Sequence, residues 1–216
     1  MARKEAQEKA TAVTPGMNHF QWDLTYPDAV DVKGIYNSFF AAAAPVGPEV
    51  VPGTYYATLT YGSHATPKQA FEVKLDPTLA TTQAELQQRF DLLMRIHAAL
   101  NELDTNLNSA IDDRDALQKS VADKSGSGGA AQAALDSLNH DIDALVDLKI
   151  QSGEGALVYP GRLRAWLTSI ASQVSMALVP PTPSMVDVAN GYINDAAAGV
   201  SRLQADVAAA NRVLNH

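Results

Sequence analysis

The spacing of apolar positions changes character once along the chain. Up to Leu75 apolar residues recur every second position. Phe20, Trp22 and Leu24 alternate with Gln21 and Asp23; Tyr55, Ala57, Leu59 and Tyr61 with Tyr56, Thr58 and Thr60; Phe71, Val73 and Leu75 with Glu72 and Lys74. Period two is that of a pleated strand, so strands are predicted over 19–24, 54–61 and 70–75. Gly62 to Pro67 reads as the turn that joins the last two into a hairpin. A two-sheet sandwich takes about seven strands. Weak strands in Val30 to Tyr36 and Pro48 to Val51, or a cover from elsewhere, must therefore complete the β part. Tyr36 to Pro52, with three prolines, reads as a surface connection.

After Asp76-Pro77 the period becomes that of a helix. Thr82 and Glu85 match a capping box, in which a hydroxyl and a carboxylate three residues apart satisfy each other's orphan N–H groups. From there Leu86, Phe90, Leu93, His97, Leu100, Asp104, Leu107, Ile111, Arg114, Leu117 and Val121 recur every third or fourth residue. No proline or glycine intervenes before Gly126. Such a helix is about 60 Å long, against about 45 Å for a compact globule of this size, so the molecule is expected to be elongated. Lys124 to Gly129 is a reversal. A second seam runs through Leu135, Leu138, Ile142, Leu145 and Leu148, and a third through Leu163, Trp166, Leu167, Ile170, Val174 and Leu178. A fourth runs from Met185 through Ala189, Tyr192, Ala196, Gly199, Leu203 and Val207, opened by Thr182 as N-cap and Pro183 at the first helical position. Helices are predicted over 82–124, 130–152, 161–178 and 183–214. The expected fold class is α+β: a polar arm over 1–14, a β part over 15–78, and an elongated antiparallel four-helix bundle with up-down topology over 79–216.

Composition narrows the chemistry. The 216 residues contain no cysteine, which removes disulfides, thiolate nucleophiles and cysteine-ligated metals. The formal net charge of −8 argues against nucleic-acid partners. No apolar run is long enough for membrane insertion, and the basic start lacks the apolar stretch of a signal peptide. The five histidines, His19, His64, His97, His140 and His216, show no ligand spacing, and no helix carries the Glu-x-x-His of a di-iron bundle. No metal or cofactor is expected. His97 on the stripe of helix one reads as a hydrogen-bonded bundle residue. Asp104 and Arg114, also on that stripe, read as snorkelling side chains or as drift of the seam. Asp112, Asp113, Asp115, Asp141, Asp143 and Asp147 read as a solvated acidic face. No nucleophile triad, phosphate loop or marked carboxylate pair is present, so no catalytic residue is assigned. Trp22, Tyr26, Tyr55 and Tyr56 are the candidates for contact with a sugar or a partner.

Three phrases carry a resemblance. Pro15 to Ala29, with Trp22-Asp23-Leu24 and Tyr26-Pro27, Gly47 to Thr60, with Pro52-Gly53-Thr54-Tyr55, and Phe71 to Pro77 followed by the long helix are similar to the C-terminal region of bacterial BNR-repeat, sialidase-like or sortilin-like glycosyl hydrolases. The resemblance is strongest over 15–90 and continues by pattern beyond. It implies a partial immunoglobulin- or fibronectin-like sandwich followed by a helical tail, in a secreted or periplasmic setting. This sequence has Thr25 where the family typically has arginine. It has no β-propeller, so none of the family's catalytic residues carries over. The expectation is a non-catalytic structural or association module, self-associating through the β part. The alternatives are a carbohydrate- or cell-envelope-binding module, and a glycoside hydrolase with a site in the groove between β part and helices.

Overall fold

A computed structural model describes residues 14–35, 46–123, 129–149, 159 and 161–214. The expected polar arm, most of the 36–52 connection and most of the loop before the third helix lie outside these residues. The fold is α+β. Among the described residues, four strands, β1 (Gly53–Ala57), β2 (Thr60–Tyr61), β3 (His64–Ala65) and β4 (Gln69–Val73), precede four helices, α1 (Gln83–Asp123), α2 (Gly129–Leu145), α3 (Leu163–Ser175) and α4 (Pro183–Leu214).

The hairpin forms as the turn signals predict, in two short ladders. β1 pairs antiparallel with β4, Tyr55 opposite Phe71, and β2 pairs with β3 around Gly62. Gly62 has φ +56°, a conformation that favours glycine. Between the ladders Thr66 binds Leu59 twice, through its backbone N–H (2.8 Å) and its hydroxyl (3.0 Å). The predicted strand over 19–24 is absent. Leu24 has φ +63°, which no strand tolerates, and Asp23 folds back to accept from the N–H and hydroxyl of Thr25. Pairing starts one residue later. Tyr26 N–H donates to Pro48 (2.9 Å) and Val50 N–H to Leu24 (2.8 Å), flanking a bridge between Thr25 and Glu49. A β-carbon on Gly47 would lie 1.8 Å from the carbonyl oxygen of Tyr26, so only glycine allows that approach.

The helices start where the caps predicted. Thr82 and Glu85 form the reciprocal box, with Thr82 N–H donating to Glu85 (2.8 Å) and Glu85 N–H to the Thr82 hydroxyl (3.3 Å). Thr82 also receives the N–H of Leu86. Their directions depart from strict alternation. Arg95 meets Asn190, Asn106 meets Gln204 and Asp113 meets Asn211, so α1 and α4 run parallel. Ser137 meets Asp206, Asp141 meets Arg202 and Leu145 abuts Gly199, so α2 runs against α4. Arg164 meets Asp104 and Arg89 meets Val174, so α3 runs against α1. The order is up, down, down, up. α2 and α3 touch each other little and cover successive levels of the α1–α4 pair.

One core runs through all four helices, including Ile96, Leu103, Leu107, Leu138, Ile142, Leu145, Leu167 and Leu203. The stripe of α1 is wider than its predicted seam, because Leu92, Ile96, Leu103 and Ala110 are buried beside Leu93, Leu100, Leu107 and Ile111. Three sets of neighbours require that width: α4, the α2–α3 line, and a segment over 27–35 that lies along α1 and sends Ala29 and Val32 into the core. Phe90, Tyr192 and Val207, expected inside, are only half-buried. In α3 the third seam is displaced: Trp166 is 48% exposed while Arg164 is buried. No described helix is long and apolar enough to cross a membrane.

Truncating Leu100 or Ile142 to Ala should lower the unfolding free energy by about 2–5 kcal/mol, since both are buried. Leu59→Ala, on the exposed end of the hairpin, should change it by less than about 0.5 kcal/mol. Urea denaturation of the three variants measures this, and equal small effects would place the core elsewhere.

Candidate functional site

The four aromatic candidates do not form one platform. Tyr55 and Phe71 are cross-strand neighbours, and Trp22 closes over them with ring centroids 5.6 Å from Tyr55 and 6.0 Å from Phe71. These tilted and edge-on contacts suit aromatic quadrupoles and make a small, partly exposed aromatic cluster in the β part. Trp22 spends its indole N–H on the carbonyl of Thr25 (2.9 Å), and Tyr55 its hydroxyl on that of Val51 (2.6 Å). Burial, then the neighbouring Tyr26, push the Tyr55 phenol above its ordinary range. Tyr26 turns to α1, its ring 5.2 Å from Phe90. Tyr56 alternates onto the opposite face of β1 and is exposed. Alternation of Phe20, Trp22 and Leu24 therefore marks a side-chain cluster without a ladder.

The strongest polar constellation lies where α2 gives way to α3. Asp104 is fully buried on α1, and Arg164 is fully buried in the first turn of α3. The Nε–H of Arg164 donates to both Asp104 oxygens (2.9 and 3.1 Å), and its Nη2 to Asp31 Oδ1 (2.5 Å). Asp104 thus neither snorkels nor marks drift; it pairs with Arg164 inside the protein, both side chains buried. Burial pushes its carboxyl up to about 7, against the pull of Arg164's charge and hydrogen bonds, and Asp31's negative charge adds to the rise. Asp31 is half in water, which accommodates the second negative charge.

Asp31 belongs to the 27–35 segment, which side chains of α1 hold along its length. His97 Nε2 lies 2.8 Å from the carbonyl oxygen of Pro27, and as a carbonyl only accepts, Nε2 carries the proton. Asn101 accepts from Val30 N–H (3.1 Å). Asn108 accepts from Lys33 N–H (2.8 Å) and donates to Asp31 O (2.9 Å). Lys33 then reaches Asp112 (2.6 Å). His97 is accordingly a hydrogen-bonded residue of the helix stripe, as its position suggested.

A second buried arginine works one end lower. Arg89 donates to the carbonyls of Val174 (3.1 Å) and Ser175 (2.9 Å) and lies 3.4 Å from Glu49. α3 has no basic residue in its own last turn, so Arg89 of α1 supplies the cation that a helix C-terminus favours. It also ties the start of the β part to the helices. Arg114, the other charged stripe residue, pairs with its neighbour Asp115 at the surface side of α1. Between α2 and α4, Asp141 and Asp206 sit together with Ser137 and Arg202. Burial, then Asp206, push Asp141 upward, and Arg202 and His140 oppose. No group of three metal-ligating side chains comes together among the described residues.

Comparison of the chain with protein-family models, with curated proteins and with solved structures finds no match.

Two outcomes are expected. Arg164→Ala should destabilise by about 3–5 kcal/mol at pH 8, above the Asp104 midpoint, because it leaves a buried carboxylate without its partner; a loss below about 1 kcal/mol in urea titrations at that pH would show the pair to be solvated. The pH dependence has a fixed sign. Asp104 is raised in the folded state, from 3.8 to about 7, so folding takes up a proton in that window. The stability this group confers is complete below the lower value and is lost as pH rises through the upper. Melting temperatures should fall from pH 5 to pH 8, and Asp104→Asn should flatten that slope. An unchanged slope in Asp104→Asn would assign the effect to other groups.

Proposed function

We propose that this chain is a non-catalytic structural and association module, of the kind found at the C-terminal end of bacterial BNR-repeat, sialidase-like glycosyl hydrolases. In this reading residues 15–78 are a partial immunoglobulin-like sandwich, and the module self-associates through that β part. The observation that carries it is the use made of the buried charges. Arg164 and Arg89 each bind three separate segments together through direct hydrogen bonds and ion pairs. Asp31 and Asp104 share one guanidinium, and Asp141 and Asp206 are bonded within the α2–α4 contact. Glycoside hydrolysis usually takes two carboxylates converging on a cleft; the groove lined by α1 and α4 carries one, Glu102, and the hydrolase alternative places its site elsewhere, between the β part and the helices. The β part, in contrast, keeps Leu59 and Tyr61 in water, at 57% and 76% exposure, beside two-stranded ladders whose outer edges meet no further strand among the described residues. Unpaired edges invite pairing with another chain.

Sedimentation equilibrium at micromolar concentration should give a mass above the 23.0 kDa of one chain. Leu59→Asp with Tyr61→Asp should reduce it, and an unaltered mass would remove the β part from the interface. Sialosides and other glycosides should not be turned over, and a chelator should leave the melting temperature unchanged, since a tightly bound metal would add to it. Turnover abolished by changing one carboxylate of this chain would overturn the proposal. The carbohydrate-binding alternative draws on the exposed Tyr56 and the partly exposed Trp22. Glycan-array binding lost in both Tyr56→Ala and Trp22→Ala would favour it.

A further inference from the structure

The outer side of the α1–α4 pair carries an open groove of about 250 Å³. Its floor is Ala98 and Ala99 of α1 with Ala196 and Ala197 of α4. One end is flanked by Arg95 and Ile193, the other by Glu102 and Val200. Each wall is therefore symmetric in size about its centre, large at both ends and small between. On α1 it is antisymmetric in charge. Arg95 and Glu102 are seven residues apart, about 10 Å along the helix axis. Arg95 makes one bond, to Asn190, which leaves most of its donors outward, and the Glu102 carboxylate has no partner among the described residues.

A surface that is even in shape and odd in charge about one level is complementary to itself after a half-turn. We infer that this groove is a second interface, distinct from the β part, through which two copies of the chain pack face to face about a two-fold axis that crosses both helices at the level of Ala98–Ala99 and Ala196–Ala197. The rotation sets α1 antiparallel to the partner's α1 and α4 antiparallel to its counterpart. Arg95 then faces the partner's Glu102, and Glu102 the partner's Arg95, while Ile193 faces the partner's Val200. A rotation about an axis parallel to the helices preserves level instead and brings no opposite charges together. The alanines at the axis let the backbones approach closely, and the charges at either side fix the register. Because α1 and α4 are parallel, the two copies form a four-helix layer whose facing helices are all antiparallel, which also opposes their dipoles.

The absence of cysteine makes the test direct. Ala98→Cys places a single thiol beside the proposed axis, on an exposed position that does not disturb the core. Mild oxidation should yield a disulfide-linked dimer at micromolar protein. In the same background R95E, and separately E102R, should each weaken linkage about tenfold or more, because like charges then meet twice. The double exchange R95E/E102R should restore it. No linked dimer, or linkage indifferent to the single exchanges, overturns the groove interface. Sedimentation of the Leu59→Asp, Tyr61→Asp variant reports the β-part association separately, so either interface can fail without the other.

Discussion

Arg164 is a guanidinium shut away from water between two carboxylates, one buried and one at the surface. Charges in such a place are tolerated only while they hold one another, since removing one partner leaves the other to bear the whole desolvation penalty. The geometry that satisfies Arg164 therefore constrains three pieces of chain at once. Asp104 fixes its level on α1, Asp31 fixes the segment that lies on α1, and the arginine's own position fixes the start of α3. The two carboxylates also lie at the N-terminal end of α3, where negative charge is favoured and the arginine alone would not be. One further Arg164 donor, Nη1, finds no partner among the described residues. The cluster thus reads as a device for register more than as a source of stability.

The position of this cluster explains the helix order. Opposite the parallel α1 and α4, the down-going helices are α2 and α3, and the break between them falls at the level of Asp104. Arg89 secures the other end of α3, binding its last carbonyls from α1. α3 is thus held at both termini by charged contacts with α1, while apolar side chains hold its middle. The β part hangs from the same places. Glu49 reaches Arg89, Gln83 donates to Pro52 (2.9 Å), Tyr26 leans on Phe90 and Pro27 binds His97. Trp22, Tyr55 and Phe71 cluster among themselves, and the hairpin tip at Leu59 and Tyr61 stays in water.

Local signals were legible in the sequence, and long-range pairings were not. Caps such as Thr82 with Glu85 and Pro183 act within one turn, so the helix starts could be read directly. The seam of α1 could be read only in part, since its width depends on a segment some seventy residues upstream that buries Ala29 and Val32. Phe20, Trp22 and Leu24 alternate as a strand would, but the signal for the break lay in Asp23 and Thr25, whose turn overrides the ladder. In the third helix an arginine inside and a tryptophan outside invert ordinary preference. The clue was a pair of charges, Asp104 and Arg164, each in step with an apolar stripe of its own helix; sixty residues of separation hid their complementarity. Of the aromatic candidates, Trp22 and Tyr55 are brought together, while Tyr26 and Tyr56 are turned to different surroundings.

Hydrogen exchange tests the central role of Arg164 most directly. The amides of Val30 and Lys33 bond to the Asn101 and Asn108 side chains of α1, so their protection reports how firmly the 27–35 segment is held. Replacing Arg164 by Met keeps much of the volume and removes the charge. If the guanidinium sets the register, Val30, Lys33 and the first turn of α3 lose protection together in the variant, while the β1–β4 ladder keeps its own. Unchanged protection at Val30 and Lys33 would contradict this, and would mean that packing of Ala29 and Val32 alone holds the segment in place.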